Sequence, residues 1–336
     1  MNGVHVHKVD PNRPEHLHWV DGAKGLGIVA VVAGHVFDGA VHTLLYHFHM
    51  PLFFMLSGVV LGRAKGLADW LRARGRSLVV PYFAWLAVIL AVAIAAGHLH
   101  WSGGGSPGIR MLAYGGSYLK GFFATFWFVS CLFGSLLIFN EINRRRPARD
   151  RHVIALMTAL AIVGVAVAPP RVPLALNMVP ITVVLLWIGK LYRDVQTLSL
   201  AAISGLVGLS LAGFGFAAPL DLKYGDLGTP GLSLLSSIST SILCFEAAKL
   251  AWKSRIARPI KELSDGSLVV MFLHPAIYIP LKGVAGLPAL LIFATAVLGP
   301  LIVYEGLKGK GGRPAAIFLG KGPLLSPRRK RARQPG

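Results

Sequence analysis

The chain has 336 residues, of which 54% are hydrophobic and 14% charged, and its mean hydropathy is +0.62. That is too little charge to cover a soluble fold of this size, so a soluble globular protein is excluded and a bilayer protein is expected. A net charge of +20 would ordinarily point to a nucleic-acid partner, but its distribution along the chain assigns it to membrane topology instead.

Ten apolar runs are predicted as membrane helices, over 22–38, 48–62, 77–97, 119–140, 153–168, 174–189, 198–217, 233–250, 266–281 and 288–306. The short dyad alternation of a β-barrel is absent, and no early apolar core with a small-residue cleavage site marks a signal peptide. Cys131 and Cys244 fall inside apolar runs and read as small buried hydrophobes. With ten crossings, 29 of the 34 Lys and Arg residues lie on one side. The positive-inside rule makes that side cytoplasmic and puts both termini there. The expected fold is therefore all-α, a polytopic bundle of about ten transmembrane helices. Residues 1–18 form a cytoplasmic segment, 19–306 the membrane domain, and 307–336 a basic tail expected to be disordered. The run "PRRKRAR" (327–333) suits anionic lipid headgroups rather than nucleic acid.

Polar residues stand out against this background. In the first helix, Asp21 and Lys24 sit at the cytoplasmic entrance and His35 near the external end. Lys24 and His35 are eleven residues apart, so they share a face about 16 Å apart. Asp38, at i+3 from His35, is placed to orient its ring. Gly22, Gly25, Gly27 and Gly34 let another helix or a ligand approach. The second helix runs the other way, which brings His47 and His49 to the external level of His35, with His42 in the connecting loop. Pro51 suits the first turn of that helix, and Gly58 and Gly62 form a small-xxx-small pair for packing. Arg72, Arg74 and Arg76 form a basic patch at the cytoplasmic start of the third helix. Trp127 and His274 lie in the outer halves of the fourth and ninth. Cations thus gather at the cytoplasmic mouth, where they suit phosphates. Imidazoles gather toward the outside, where they suit proton transfer near neutral pH. Taken singly, Lys24 is also a plausible topology anchor and each histidine a plausible interfacial residue.

"WVDGAKGLGIVAVVAGHV" (19–36) and "HMPLFFMLSG" (49–58) closely resemble the two opening helices of the integral-membrane acyltransferase-3 family, in its fucose 4-O-acetylase and exopolysaccharide O-acetyltransferase branch. "RSLVVPYF" (76–83), "FWFV" (126–129) and "DGSLVVMFLH" (265–274) match later landmarks in order, so the resemblance spans about residues 16–305. It implies a ten-helix bundle that moves an acetyl or other short acyl group from cytoplasmic acyl-CoA to a carbohydrate hydroxyl. His35 matches the family's essential histidine, Asp21 and Lys24 its first-helix motif, His49 its second, Arg76 a basic position before helix three, and Trp127 the fourth-helix tryptophan. The third-helix arginines read Arg-x-Arg-x-Arg rather than the common Arg-x-x-Arg, which leaves open which of Arg72, Arg74 and Arg76 meets CoA.

On this reading Asp21, His35 and His49 serve catalysis, with His35 the general base. Lys24 and the three arginines hold the CoA phosphates, and Trp127, His47, His274 and Asp38 face the acceptor. A thioester is already activated, so acyl-CoA enters as co-substrate and no metal is called for. The expected partners are the lipid bilayer of the inner (cytoplasmic) membrane, acyl-CoA and a cell-envelope carbohydrate, with no nucleic acid. A proton- or cation-coupled exporter competes with this reading, because intramembrane histidines also build proton relays. A metal-handling protein is a third possibility, on the His-x-His pairs at 5/7, 16/18, 47/49 and 98/100, although no second pair stands at zinc-site spacing.

Overall fold

The computed structural model describes residues 18–62, 66–97, 107–168, 172–252 and 257–320. Fourteen α-helices run in chain order: α1 (His18–Val36), α2 (Ala40–Tyr46), α3 (His49–Val59), α4 (Leu67–Arg74), α5 (Val80–Ala95), α6 (Pro107–Tyr114), α7 (Trp127–Arg145), α8 (Arg151–Val167), α9 (Val179–Tyr192), α10 (Leu200–Phe216), α11 (Leu232–Ala251), α12 (Ala257–Lys282), α13 (Ala289–Lys310) and α14 (Gly312–Leu319). Among the described residues the β-structure is confined to one isolated bridge between Asp221 and Asp226. Among the described residues seven helical segments are long and apolar enough to cross a membrane, and α8 and α10 are shorter apolar helices of 17 residues each. The protein is an all-α multi-pass membrane bundle.

α1 sits among three neighbours because its glycines carry no Cβ. A Cβ on Gly22 would stand 3.3 Å from Ala248 of α11, one on Gly25 2.6 Å from the Ile260 carbonyl of α12, and one on Gly27 2.7 Å from Leu52 of α3. α12 runs parallel to α1. Ser264 donates to Asp21 near one end (3.3 Å), and Lys282 pairs with Asp38 at the other (3.1 Å). α13 returns antiparallel, Gly266 meeting Tyr304 and Gly299 meeting Ile277. At the first of these ends Trp19 packs against Tyr192 and Phe245, and Lys249 lies over both the Trp19 and Tyr192 rings. Glu246 completes that corner by accepting from Tyr192 and pairing with Lys249.

The segment expected to span the bilayer over 48–62 forms only the 11 residues of α3. Its length is about 16 Å, roughly half of a hydrocarbon core, and all but Ser57 of its residues are buried inside the bundle. Two cations of the α9 end close the C-terminal end of α3: Arg193 donates to the carbonyl of Val59, its last residue (3.4 Å), and Lys190 to that of Leu61, two residues beyond (2.8 Å). The glycine pair expected at Gly58 and Gly62 is corrected too. Gly58 lies against the Leu186 carbonyl of α9, and Gly189 of α9 lies against the Met55 carbonyl of α3, while Gly62 has nothing within 4 Å.

Two boundaries moved. The fourth span begins as a helix only at Trp127, since the chain before it runs through short 3₁₀ turns at Gly116–Tyr118 and Gly121–Phe123. Gly116 takes φ 56° there, with the Ala175 backbone pressed against the space a side chain would need. At the other end α13 continues to Lys310, and α14 then folds back on α5, where Trp85 donates to the Phe318 carbonyl (3.0 Å). The boundary expected at 306 therefore lies inside a helix. The basic run 327–333 and the histidines at 5, 7, 16, 98 and 100 lie outside the described residues.

Candidate active site

Three helices bring one histidine each to the same place: His35 from the end of α1, His49 from the start of α3 and His274 from the middle of α12. The His35 ring lies 5.2 Å from His274 and 6.1 Å from His49, centre to centre, both edge-on. Each ring is fixed in one way. Nδ1 of His35 meets the Val31 carbonyl at 2.7 Å, His49 meets Leu45 at 2.7 Å, and His274 meets Val270 at 2.8 Å, all four residues back. A carbonyl only accepts, so Nδ1 carries the proton in all three and Nε2 keeps its lone pair. For His35 and His274 this is local in origin, because a histidine within a helix reaches back to the carbonyl of the preceding turn, whereas His49 reaches from the first residue of α3 to a carbonyl of α2. The histidines of α1 and α3 face a cavity of about 200 Å³.

The rest of the cavity comes from elsewhere in the chain. Thr125 and Trp127 approach from the start of α7, Tyr46 from α2 and Tyr278 from α12. The loop between α10 and α11 supplies Asp221, Lys223 and Tyr224. That loop is held by the Asp221–Asp226 bridge, and the Asp221 carboxylate accepts the N–H of Lys223 (3.1 Å). Burial raises the Asp221 carboxyl above its usual value, against the pull of the Lys223 N–H and ammonium. Tyr46 packs on the His49 ring at 4.8 Å and on the His42 ring at 4.0 Å. Tyr278 stacks along His274 at 6.0 Å and tilts against His35 at the same distance.

Of the residues singled out in the sequence, His35, His49 and Trp127 line this cavity, and His274 is fully buried beside His35. Others do not meet there. His47 is buried against Phe214, with both ring nitrogens unpartnered. Two residues from His49, it points the other way. Asp38 does not orient His35, whose Nδ1 is already taken by Val31. α1 ends at Val36, so the i+3 geometry no longer applies, and Asp38 is an exposed partner of Lys282. Asp21 is fourteen residues from His35 on the same helix, about 21 Å away, and takes no part in the cavity. Lys24 lies in that same end of α1. Arg72 is exposed and paired with Asp69 (3.1 Å), Arg74 is half-buried, and Arg76 is exposed within a π-helical turn, Gly75–Val79. Ser57 donates to the Phe53 carbonyl (2.8 Å), as a packing residue does. Among the described residues no group of three or more His, Cys, Asp or Glu side chains is placed to hold a metal ion.

Sequence reasoning missed Tyr46, Tyr278, Thr125 and the 221–224 loop. Tyr278 had a signal, standing at i+4 from His274 and so on the same helix face. The loop had none, because nothing in "DLKYGD" (221–226) says which part of the bundle it covers.

Comparisons with known proteins bear on the chain as a whole. Residues 17–305 match the acyltransferase-3 family, whose description is an acyltransferase domain. A curated relative is the nodulation protein NolL of Sinorhizobium fredii (strain NBRC 101917 / NGR234), 27% identical over 158 residues. That alignment covers 41% of this chain and 41% of the relative, so the chain spans well under half the length of the curated protein it matches. No solved structure matches. With the family's pattern running through nearly every helix described above, including those that carry the three histidines, the chain belongs to the acyltransferase-3 family of multi-pass membrane acyltransferases.

Proposed function

We propose that the protein is an O-acyltransferase of the cytoplasmic membrane. It takes an acetyl or other short acyl group from acyl-CoA at the basic end of the bundle. It passes that group to a hydroxyl of a cell-envelope or exported carbohydrate at the histidine end, in the manner of the exopolysaccharide O-acetyltransferase branch. The observation that carries this is His35, whose Nδ1–H is committed to Val31 and whose Nε2 is thereby a bare acceptor, in a ring that lines one cavity with Asp221 and Lys223. Such a nitrogen removes the proton from an attacking hydroxyl. The alkoxide adds to the thioester carbon, the C–S bond breaks, and the leaving thiolate recovers the proton from Nε2. His49 and His274 pack beside His35 and restrict its ring.

The lining suits a sugar. Trp127, Tyr46, Tyr224 and Tyr278 offer ring faces to C–H surfaces, and Asp221 offers an acceptor to hydroxyls. At the other end Lys24, Arg74 and Arg76 are the cations assigned to CoA phosphates, with Arg72 already engaged by Asp69. The acyl carrier then spans the roughly 16 Å between Lys24 and His35. The test uses the purified protein in nanodiscs with radiolabelled acetyl-CoA, a panel of methyl hexosides and deacetylated envelope polysaccharide. Acid-stable, base-labile label in the carbohydrate with matching thiol release is the expected result. Thiol release without any labelled carbohydrate would reject the acceptor class, and no thiol release would reject the donor.

A further inference from the structure

Acyl transfer needs a donor aimed at the thioester oxygen as well as a base. The basic side chains of the far end are too distant to serve, since Lys24 is about 16 Å along α1 from His35. The segment leading into α7 forms part of the wall of the cavity that His35 also lines. That 19-residue helix begins at Trp127, so the positive end of its dipole is directed at the cavity. Two residues earlier stands Thr125, which lines the same cavity, is 4% exposed, and has a hydroxyl without a hydrogen-bond partner.

Thr125 differs in this from the helical threonines. Thr43, Thr158, Thr182 and Thr295 all turn their hydroxyls back to the carbonyl four residues earlier. Thr125 follows a 3₁₀ turn rather than a helix and makes no such bond. A buried hydroxyl without an acceptor is unfavourable in the resting protein. The penalty is relieved only when an acceptor arrives, and it is relieved most by a charged one. This is the condition for transition-state rather than ground-state stabilisation.

We infer that the Thr125 hydroxyl, backed by the N-terminus of α7, is the oxyanion donor of the transfer reaction. The assignment rests on the acyl-transfer reading above. As the acceptor oxygen bonds to the thioester carbon, the carbonyl π pair moves onto oxygen and the Thr125 O–H donates to it. When the C–S bond breaks the pair returns, the ester carbonyl forms, and the thiolate takes the proton held on His35 Nε2. Thr125 itself neither gains nor loses a proton.

The test compares wild type, Thr125→Val and Thr125→Ser in nanodiscs with acetyl-CoA and deacetylated envelope polysaccharide, reading thiol release and melting temperature. Valine keeps the shape and removes only the hydroxyl. The expected result is a fall in kcat of about 10²–10³-fold with KM for acetyl-CoA unchanged. The melting temperature should be unchanged or raised, because an unpartnered buried hydroxyl has gone, and serine should restore most of kcat. Wild-type kcat in Thr125→Val overturns the assignment, as does a loss of kcat that tracks a loss of melting temperature and is not rescued by serine. If the wild type itself releases no thiol, the transfer reading fails and this assignment falls with it.

Discussion

The crossing of α3 and α9 is held by two glycines set against each other's backbone, and adding one methyl group there tests how the site is positioned. A Cβ on Gly189 would lie deep inside contact distance of the Met55 carbonyl, and a Cβ on Gly58 would do the same to Leu186. The obstructing atoms are backbone, so no rotamer change relieves the contact. An ordinary C···O approach of about 3.3–3.6 Å requires the two helices to part by about 1–2 Å. Overpacking of this kind costs about 1–3 kcal/mol, against which alanine regains about 1 kcal/mol of helix propensity. Because the obstructing atoms are backbone, the cost falls toward the upper end of that range, and Gly189→Ala should destabilise by up to about 2 kcal/mol. The functional effect should be larger than the stability effect. α3 carries His49 at its first residue, with Leu52 and Phe53 wedged against Gly27 of α1, so a displaced α3 shifts the His49 ring against His35. A misplacement of about 1 Å can cost about 10²-fold in rate. Thermal unfolding in detergent and acyl-transfer assays on Gly58→Ala, Gly189→Ala and the double variant read both effects. Either single change already opens the crossing, so the double variant should lose much less than the sum. Full stability and full activity in Gly189→Ala would refute this account of how α3 is seated, and strict additivity would show that the two glycines do not share one contact.

Asp221 in the cavity and Asp38 outside it give two further expectations. The Asp221 carboxylate is proposed to accept acceptor hydroxyls, and burial raises its proton affinity, helped by Asp226. As pH falls through that raised value the carboxylate protonates, so KM for the carbohydrate should climb at a higher pH than an ordinary aspartate would give, and Asp221→Asn should abolish that acid limb. Lys223, Tyr224 and Asp226 on its own loop, His35 on α1, Tyr46 and His49 across the cavity, and Tyr278 on α12 are the other titratable groups about it. As the proposed base, His35 is expected to act on kcat, so the two are read separately; an acid limb that persists in KM for Asp221→Asn would assign it elsewhere. Asp38→Asn removes an exposed ion pair with Lys282, worth about 0.2–1 kcal/mol, and should leave kcat at the wild-type value. A large loss of kcat would mean that Asp38 orients His35 after all.

The sequence made the helices legible because each apolar run is long relative to its connections. It also gave His35, His49 and Trp127, since a titratable or polar ring inside an apolar run stands out against its neighbours. It misjudged features that depend on where a helix stops. The i+3 rule applied to His35 and Asp38 presumes a helix that in fact ends at Val36. His47 and His49 look alike in sequence, but two residues of rotation send one ring toward Phe214 and the other toward His35. α3 read as a full span because hydropathy reports apolarity and not depth, and a helix wholly inside a bundle is as apolar as one facing lipid. Lys190 and Arg193 counted only toward orientation, yet they also cap α3. The α10–α11 loop and Thr125 were out of reach, because their importance arises from long-range packing that leaves no local periodicity.

The most direct test of the central claim is single-turnover acyl transfer by His35→Ala, measured at equal protein in nanodiscs beside a direct measurement of acyl-CoA binding. The expected result is a loss of about 10²–10⁴-fold in the transfer step with acyl-CoA affinity unchanged. Transfer near the wild-type rate would contradict it, and the base would have to be sought in another residue of the cavity.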